Sequence, residues 1–184
     1  MHRKALLNAL ELYQPITDTD KKAKQAIQEF VKNNEDCFER SLSIGHITAS
    51  SWLLNKDGTK VLLMYHAKLN RWVQLGGHCD GDADVLAVAI KEAQEESGIE
   101  HIEPVSYEIF DIDVHLIPAN AKEPEHYHYD VRFLLHVTSD EDFIRNHESK
   151  DMRWFGKDKQ GFPTKSPSVV RMLDKWIALK GMRL

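Results

Sequence analysis

The sequence predicts an α/β fold in which a mixed β-sheet is sandwiched between helices. Strand-like apolar runs and segments whose apolar residues recur at helical period both occur along the chain, in a mixed order. A length of 184 residues and a hydrophobic share of 42% suit one domain with its own core. The expected strands are residues 44–54, 60–66, 72–75, 105–117, 127–137 and 151–155, and the expected helices of this domain are residues 83–97 and 166–179.

Two further helices are expected ahead of the sheet. The first is interrupted at Pro15, and the second begins after Thr17 or Asp18 as its N-cap. They form a helical extension at residues 1–36, followed by the main domain at residues 37–184. We expect these two helices to pack against that domain or against a second subunit, and we favour this over a role in substrate recognition.

Composition and charge limit the classes of protein that fit. A formal net charge of -5 without a long basic stretch argues against binding to a nucleic-acid polymer. No apolar run approaches the roughly 20 residues that span a bilayer, and Cys37 and Cys79 lack the spacing of a disulfide framework. We therefore expect a cytoplasmic protein that does not enter membranes, with a homodimer as the default assembly because dimers are the commonest oligomers.

The helix expected at residues 83–97 carries acidic residues near its C-terminal end. Glu92 and Glu96 are four positions apart and lie on one edge of its apolar stripe, with Glu95 further round. Carboxylates held this close repel one another unless a cation neutralises them, and Mg²⁺ or Mn²⁺ has the matching preference for oxygen ligands. A solvated acidic face is the alternative interpretation.

Two glycines, Gly76 and Gly77, are expected to end a strand and turn the chain ahead of this helix. Their carbonyls could face the same cation, and their amides could approach phosphate oxygens. Lys68 and Arg71 lie in a short polar loop before this turn and could bind the phosphates of a substrate. Charges on an exposed loop are an equally good interpretation of these two side chains.

The residues in and around this helix resemble the Nudix box. That motif has a glycine, a glutamate six residues later, and then arginine-glutamate-aliphatic-any-glutamate-glutamate-any-glycine-aliphatic. Two positions depart from it: Ala83 stands at the first glutamate, and Lys91 at the arginine, where it keeps the charge but lacks the guanidinium fork. The matching residues are Gly77, Lys91 (by charge), Glu92, Ala93, Glu95, Glu96, Gly98 and Ile99.

The resemblance implies a Nudix-like α/β/α sandwich and a metal-dependent hydrolase. Such an enzyme cleaves a diphosphate linkage in a small molecule, a nucleoside diphosphate linked to another group, with Mg²⁺ or Mn²⁺ as cofactor. The general base stays open among Glu92, Glu95 and Glu148, the last of which lies just ahead of the final predicted strand. The implied metal ligands are Glu92, Glu95 and Glu96 with the carbonyl of Gly76 or Gly77.

A second group of possible ligands is formed by histidines. His126, His128 and Asp130 alternate along a predicted strand and so point to one face, an arrangement suited to a transition metal. Surface histidines without a metal are the simpler interpretation. The chain also resembles type I isopentenyl diphosphate isomerase, which holds a metal through histidines and glutamates outside the helix. This resemblance implies two further possible ligands, His46 ahead of a Ser-Ser-Trp strand and His78 after a glycine. The predicted second site consists of His46, His78, His128 and Asp130.

Two alternatives to the hydrolase remain. An isopentenyl diphosphate isomerase-like enzyme is disfavoured because Gly76 occupies the position of its catalytic cysteine, whereas Cys79 follows His78. A non-catalytic nucleotide-binding protein of the same fold is kept open by Ala83 and disfavoured by the retained acids.

Overall fold

The fold is α/β, with a mixed β-sheet and helices, which confirms the predicted class. The computed structural model describes residues 2–121 and 123–179. The helices are α1 (Lys4–Leu12), α2 (Asp18–Asn33), α3 (Val85–Ser97) and α4 (Pro167–Ala178). The strands are β1 (Gly45–Leu54), β2 (Val61–His66), β3 (Arg71–Val73), β4 (Leu75–His78), β5 (Ile102–Pro104), β6 (Asp111–Ile117), β7 (His126–Val137) and β8 (Ser149–Phe155).

Residue contacts divide the chain into two compact units, and several elements run through both. The first unit contains the chain up to Ala49, with Gly77–Ala89 and Tyr107–Phe133. The second unit contains Ser50–Gly76 and Ile90–Ser106, with the chain from Leu134 onward. The acidic residues of α3 belong to the second unit, and the histidines of β1, β4 and the start of β7 belong to the first.

The two N-terminal helices form as predicted and pack within the first unit. Thr17 caps α2 by accepting a hydrogen bond from the Asp20 N–H at 3.1 Å. Arg3 joins the helices by donating to the Val31 carbonyl at 2.8 Å. Phe30 stacks on Tyr129 of β7, with 3.9 Å between ring centroids. The extension therefore packs against β7, which carries His128 of the predicted histidine cluster, on the face that Tyr129 presents.

Hydrogen bonds join eight strands of the described chain into one sheet. The order is β3-β2-β1-β7-β5, with β4 beside β1, β6 beside β7 and β8 beside β2. In the second unit β2 runs antiparallel to both β3 and β8. In the first unit β6 runs antiparallel to β7, so that Asp111 lies opposite Arg132 and His115 opposite His128. This register brings the charged residues of two strands together.

The structure corrects two strand predictions. The single strand expected at residues 105–117 is only β6, because the chain first forms the short β5 against β7 and loops before Asp111. The strand expected at residues 72–75 is two strands, and the second, β4, includes Gly76 and Gly77. These glycines therefore lie within a strand instead of forming the turn, which follows at residues 79–84.

Helix α3 begins two residues later than predicted and ends where predicted. Asp84 accepts a hydrogen bond from the Ala87 N–H at 3.1 Å, which makes it the N-cap. Asp82 accepts from the Asp84 N–H at 2.9 Å. Gly98 ends the helix with a φ of 72°, a conformation that favours glycine, and its N–H donates to the Gln94 carbonyl at 2.8 Å.

Among residues 2–121 and 123–179, none of the helices combines the length and the apolar composition needed to cross a membrane.

Candidate functional site

An acidic cleft of about 360 Å³ lies in the second unit. The C-terminal half of α3 supplies three glutamates, and the loop ahead of β8 supplies a fourth with two polar neighbours. All four acids that the sequence singles out are thus brought to one cleft. Its lining residues are Glu92, Glu95, Glu96, Asn146, His147 and Glu148.

Glu96 is the buried member of this acidic group, with only 5% of its surface exposed. Its Oε2 accepts a hydrogen bond from the Gly76 N–H at 2.8 Å. Burial raises the pKa of Glu96 to about 8, although that hydrogen bond opposes the shift. The charges of Glu92, Glu148 and Glu95 add to the rise. Burial and the neighbouring negative charges therefore favour the protonated form of this carboxyl.

Glu92 and Glu95 differ from Glu96 in exposure. Glu92 is half-buried, whereas the Glu95 side chain is exposed and pairs with Lys91 across one helical turn, with 3.7 Å between Nζ and Oε1. Lys91, which replaces the arginine of the motif, therefore has a carboxylate partner. An exposed pair of this kind contributes little to stability, so Glu95 remains available to a ligand in the cleft.

Glu148 reaches the cleft from a loop that hydrogen bonds hold in place. Its N–H donates to Asn146 Oδ1 at 2.9 Å, and its carbonyl accepts from the Ala67 N–H at 2.8 Å. The second bond ties the loop to the β2–β3 turn, which contains Lys68 and leads to Arg71. The sequence singled out the acid but not its neighbours Asn146 and His147, because a polar loop carries no periodic signal.

The residues predicted to contact substrate lie in two strand-associated segments. Lys68 and Arg71 are exposed, the first in the β2–β3 turn and the second at the start of β3. Both lower the pKa of His66, after burial as the main cause. Gly76 contacts Glu96 through its N–H, and Gly77 is the next residue of β4. The structure thus connects Gly76 directly to the acidic group.

The histidine cluster lies in the first unit, where three segments meet. Atoms able to bind a metal in His46, His78 and His128 all lie within 4.8 Å of one another. His46 is only 3% exposed, and neither of its ring nitrogens has a hydrogen-bond partner in residues 2–121 and 123–179. His126, which the sequence placed on the same face, lies beside the cluster, with its Nε2 3.3 Å from His128 Nε2.

Asp130, predicted as a ligand beside these histidines, is engaged elsewhere. Its Oδ1 accepts from Thr48 at 3.0 Å, and its Oδ2 accepts from Arg132 Nε at 2.7 Å. The carboxylate is therefore part of a buried ion-pair network and is not among the three side chains that converge. The histidine part of the prediction is assembled, and the aspartate part is not.

Sequence reasoning missed that buried network. Arg132 is 1% exposed and also pairs with Asp111 at 2.9 Å and Asp113 at 3.4 Å. Burial lowers the pKa of Arg132, but the charges of Asp130, Asp111 and Asp113 outweigh that effect and raise this pKa above its ordinary value. Alternating charged residues in two apolar strand candidates were the available signal, but only the pairing of β6 with β7 shows that they meet.

Comparison with known proteins identifies the family to which this fold belongs. A family model described as the NUDIX domain matches residues 45–173. The chain is similar in structure to an Ap4A hydrolase from C. elegans, at 20% identity, with 72% of this chain and 95% of that chain covered and a TM-score of 0.57. It is similar to a hydrolase of the NUDIX family from Clostridium perfringens, at 26% identity, 72% and 96% coverage and a TM-score of 0.53.

A third similar structure is a MutT protein from Methanosarcina mazei Go1, at 17% identity, 74% and 95% coverage and a TM-score of 0.55. A comparison with curated protein sequences found no match. The family match covers well over half of the chain and begins after the two N-terminal helices. The chain therefore belongs to the Nudix family and is an enzyme of the Nudix pyrophosphohydrolase type.

Proposed function

We propose that this enzyme hydrolyses a diphosphate linkage in a nucleoside diphosphate linked to another group, with Mg²⁺ or Mn²⁺ bound in the acidic cleft. The observation that carries the proposal is the burial of Glu96 among other carboxylates. A cation bound beside such an acid would stabilise its ionised form.

The residues of the cleft fit a hard divalent cation. Their donors include the carboxylate oxygens of four glutamates, which Mg²⁺ and Mn²⁺ prefer as ligands. Glu92, Glu95 and Glu96 are the proposed ligands. The Gly76 N–H occupies Glu96 Oε2 and fixes the orientation of the carboxylate. When bound, the cation would stabilise the charge that develops on phosphoryl oxygens.

Glu148 is the acid that we assign as general base. It lines the cleft from outside α3, so it can hold a proton without withdrawing a ligand from the helix. Glu92 and Glu95 are the competing candidates, but we already propose both as metal ligands. We expect Glu148→Gln to lower kcat while leaving the affinity for Mg²⁺ within a few-fold of wild type, since the metal ligands are kept.

Phosphate recognition is assigned to the β2–β3 turn and to β4. The turn is tied to Glu148 through the Ala67 N–H, which places the exposed cations Lys68 and Arg71 in a segment adjoining the cleft-lining loop. Positive side chains there would attract the phosphates of a substrate. Gly77 is proposed as a further contact through its backbone amide.

The two alternatives have less support. The isomerase-like chemistry lacks its cysteine, and Cys79 is buried, which raises the pKa of its thiol. A non-catalytic nucleotide binder would not need the acidic cleft, and membership of the Nudix family favours the hydrolase.

The test is a panel of nucleotide-linked diphosphates incubated with the enzyme in Mg²⁺, in Mn²⁺ and in EDTA. The panel includes a dinucleoside tetraphosphate, because the similar C. elegans protein is an Ap4A hydrolase. We expect cleavage between two phosphates of at least one compound, with no product in EDTA. Tight nucleotide binding without product in either metal would favour the non-catalytic alternative and contradict the proposal.

A further inference from the structure

We propose that His46, His78 and His128 bind a transition-metal ion of the zinc class at a site separate from the acidic cleft. The three imidazoles come from the start of β1, the end of β4 and the start of β7. An ion held there would link three segments that are far apart in sequence, all of them in the first compact unit.

Geometry is the first support. The candidate ligand atoms of all three residues lie within 4.8 Å of one another, and the rings are packed at centroid distances of 4.8 to 5.1 Å. Zinc binds imidazole nitrogen at about 2.0–2.1 Å, so two nitrogens on one tetrahedral ion are about 3.3 Å apart. The candidate ligand atoms of this cluster are thus at most about 1.5 Å further apart than that spacing.

The burial of His46 without a hydrogen-bond partner in the described part of the chain is the second, independent support. Its side chain is 3% exposed, and both ring nitrogens lack hydrogen-bond partners in the described part of the chain. A buried polar group without a partner is costly, and native proteins leave few of them. A bound ion would satisfy one of these nitrogens and would explain why the fold retains a histidine at this position.

A neighbouring histidine, His126, contacts one member of the cluster. His126 Nδ1 lies 2.8 Å from the Pro124 carbonyl, which can only accept a hydrogen bond, so Nδ1 carries the proton. The lone pair is then on Nε2, which lies 3.3 Å from His128 Nε2, the separation of two ligands on one tetrahedral ion. A carbonyl that fixes the tautomer in this way is the usual second partner of a metal-binding histidine.

The donor set selects the type of metal. Neutral imidazoles suit zinc and similar ions, whereas Mg²⁺ prefers the carboxylates of the acidic cleft. Two chemically different sites are therefore expected in one chain, one in each compact unit.

The experiment measures zinc in protein that carries no histidine tag. Wild type, His78→Ala and His128→Ala are stripped with a chelator, loaded with zinc and dialysed, and their metal content and zinc affinity are determined. The exposed His101 supplies the matched control His101→Ala, and Glu96→Gln tests separation from the acidic cleft. Circular dichroism verifies folding, and His78→Ala is the leading variant because His78 is only half-buried.

We expect about one zinc per wild-type chain and a rise in Tm of roughly 5 to 10 °C at a hundredfold excess of zinc over Kd. His78→Ala and His128→Ala should bind zinc at least about tenfold more weakly. His101→Ala and Glu96→Gln should bind zinc as wild type does. Failure of the wild type to retain zinc would overturn the proposal, as would wild-type zinc content in a folded His78→Ala/His128→Ala double variant.

Discussion

Replacing Glu96 by glutamine should make the metal-free protein more stable, and increasingly so as the pH rises. The folded protein raises the pKa of this carboxyl to about 8 through burial and the neighbouring charges of Glu92, Glu148 and Glu95. The folded state holds the Glu96 proton more tightly than the unfolded state does. The stability that this proton gives the wild type is therefore complete below the unfolded pKa and is lost as the pH rises towards the folded pKa. Glutamine mimics the protonated form and keeps an oxygen for the Gly76 N–H.

The size of the effect follows from the two pKa values. The pKa of Glu96 is taken as its ordinary value of 4.5 in the unfolded state and is about 8 in the folded state. Ionisation therefore lowers the free energy of unfolding of the wild type by roughly 1 kcal/mol at pH 5 and by roughly 4 kcal/mol at pH 8. The free energy of unfolding of Glu96→Gln should therefore exceed that of wild type by an amount that grows by about 3 kcal/mol over this interval.

Urea denaturation in EDTA at pH 5, 6, 7 and 8 measures this difference directly. Comparing slopes against pH removes any constant effect of the substitution on packing. The control is Glu100→Gln, which changes an exposed acid four residues further along and should leave the pH dependence unaltered. A difference that stays constant with pH, or that shrinks towards pH 8, would refute the electrostatic description of the cleft.

Further predictions address other parts of the structure. Arg132→Met should destabilise the protein by about 3–5 kcal/mol in urea, because it leaves buried aspartates unpaired; a neutral effect would contradict the network. Phe30→Ala should cost about 3 kcal/mol if the N-terminal extension packs on β7 as described, and an unchanged unfolding midpoint would argue against that packing. Asp84→Ala should cost about 1 kcal/mol through loss of the α3 cap, to be measured by the same denaturation. Lys68→Ala should raise KM more than it lowers kcat, with the exposed Lys60→Ala as control, and unchanged kinetics would remove Lys68 from phosphate binding.

The sequence was sufficient for the parts of the fold that carry a periodic or capping signal. Helix α2 has its Thr17 cap and helix α3 has Gly98 at its end, so both were placed closely. The acidic residues of α3 were predicted to lie together because helical spacing alone brings Glu92 near Glu96. The position of β5 was missed, since three residues give no usable pattern and the strand forms only by pairing with β7.

Long-range contacts explain the remaining differences. Asp130 alternates with the histidines and was grouped with them, but Thr48 and Arg132 engage its carboxylate from other positions. Gly76 was expected to contribute a carbonyl from a turn, whereas it lies in β4 and donates its N–H to Glu96. In each case the contacts of the residue depend on a partner that spacing along the chain does not reveal.

The central claim is that the acidic cleft binds the divalent cation required for diphosphate hydrolysis. Its most direct test is the initial rate of hydrolysis against Mg²⁺ concentration for wild type, Glu96→Gln and Glu100→Gln with the best substrate of the panel. We predict that the rate of the wild type saturates with Mg²⁺ and that Glu100→Gln behaves nearly as the wild type does. The rate of Glu96→Gln should be lower than that of the wild type by at least roughly a hundredfold. Wild-type turnover by Glu96→Gln at the same Mg²⁺ concentrations would contradict the claim.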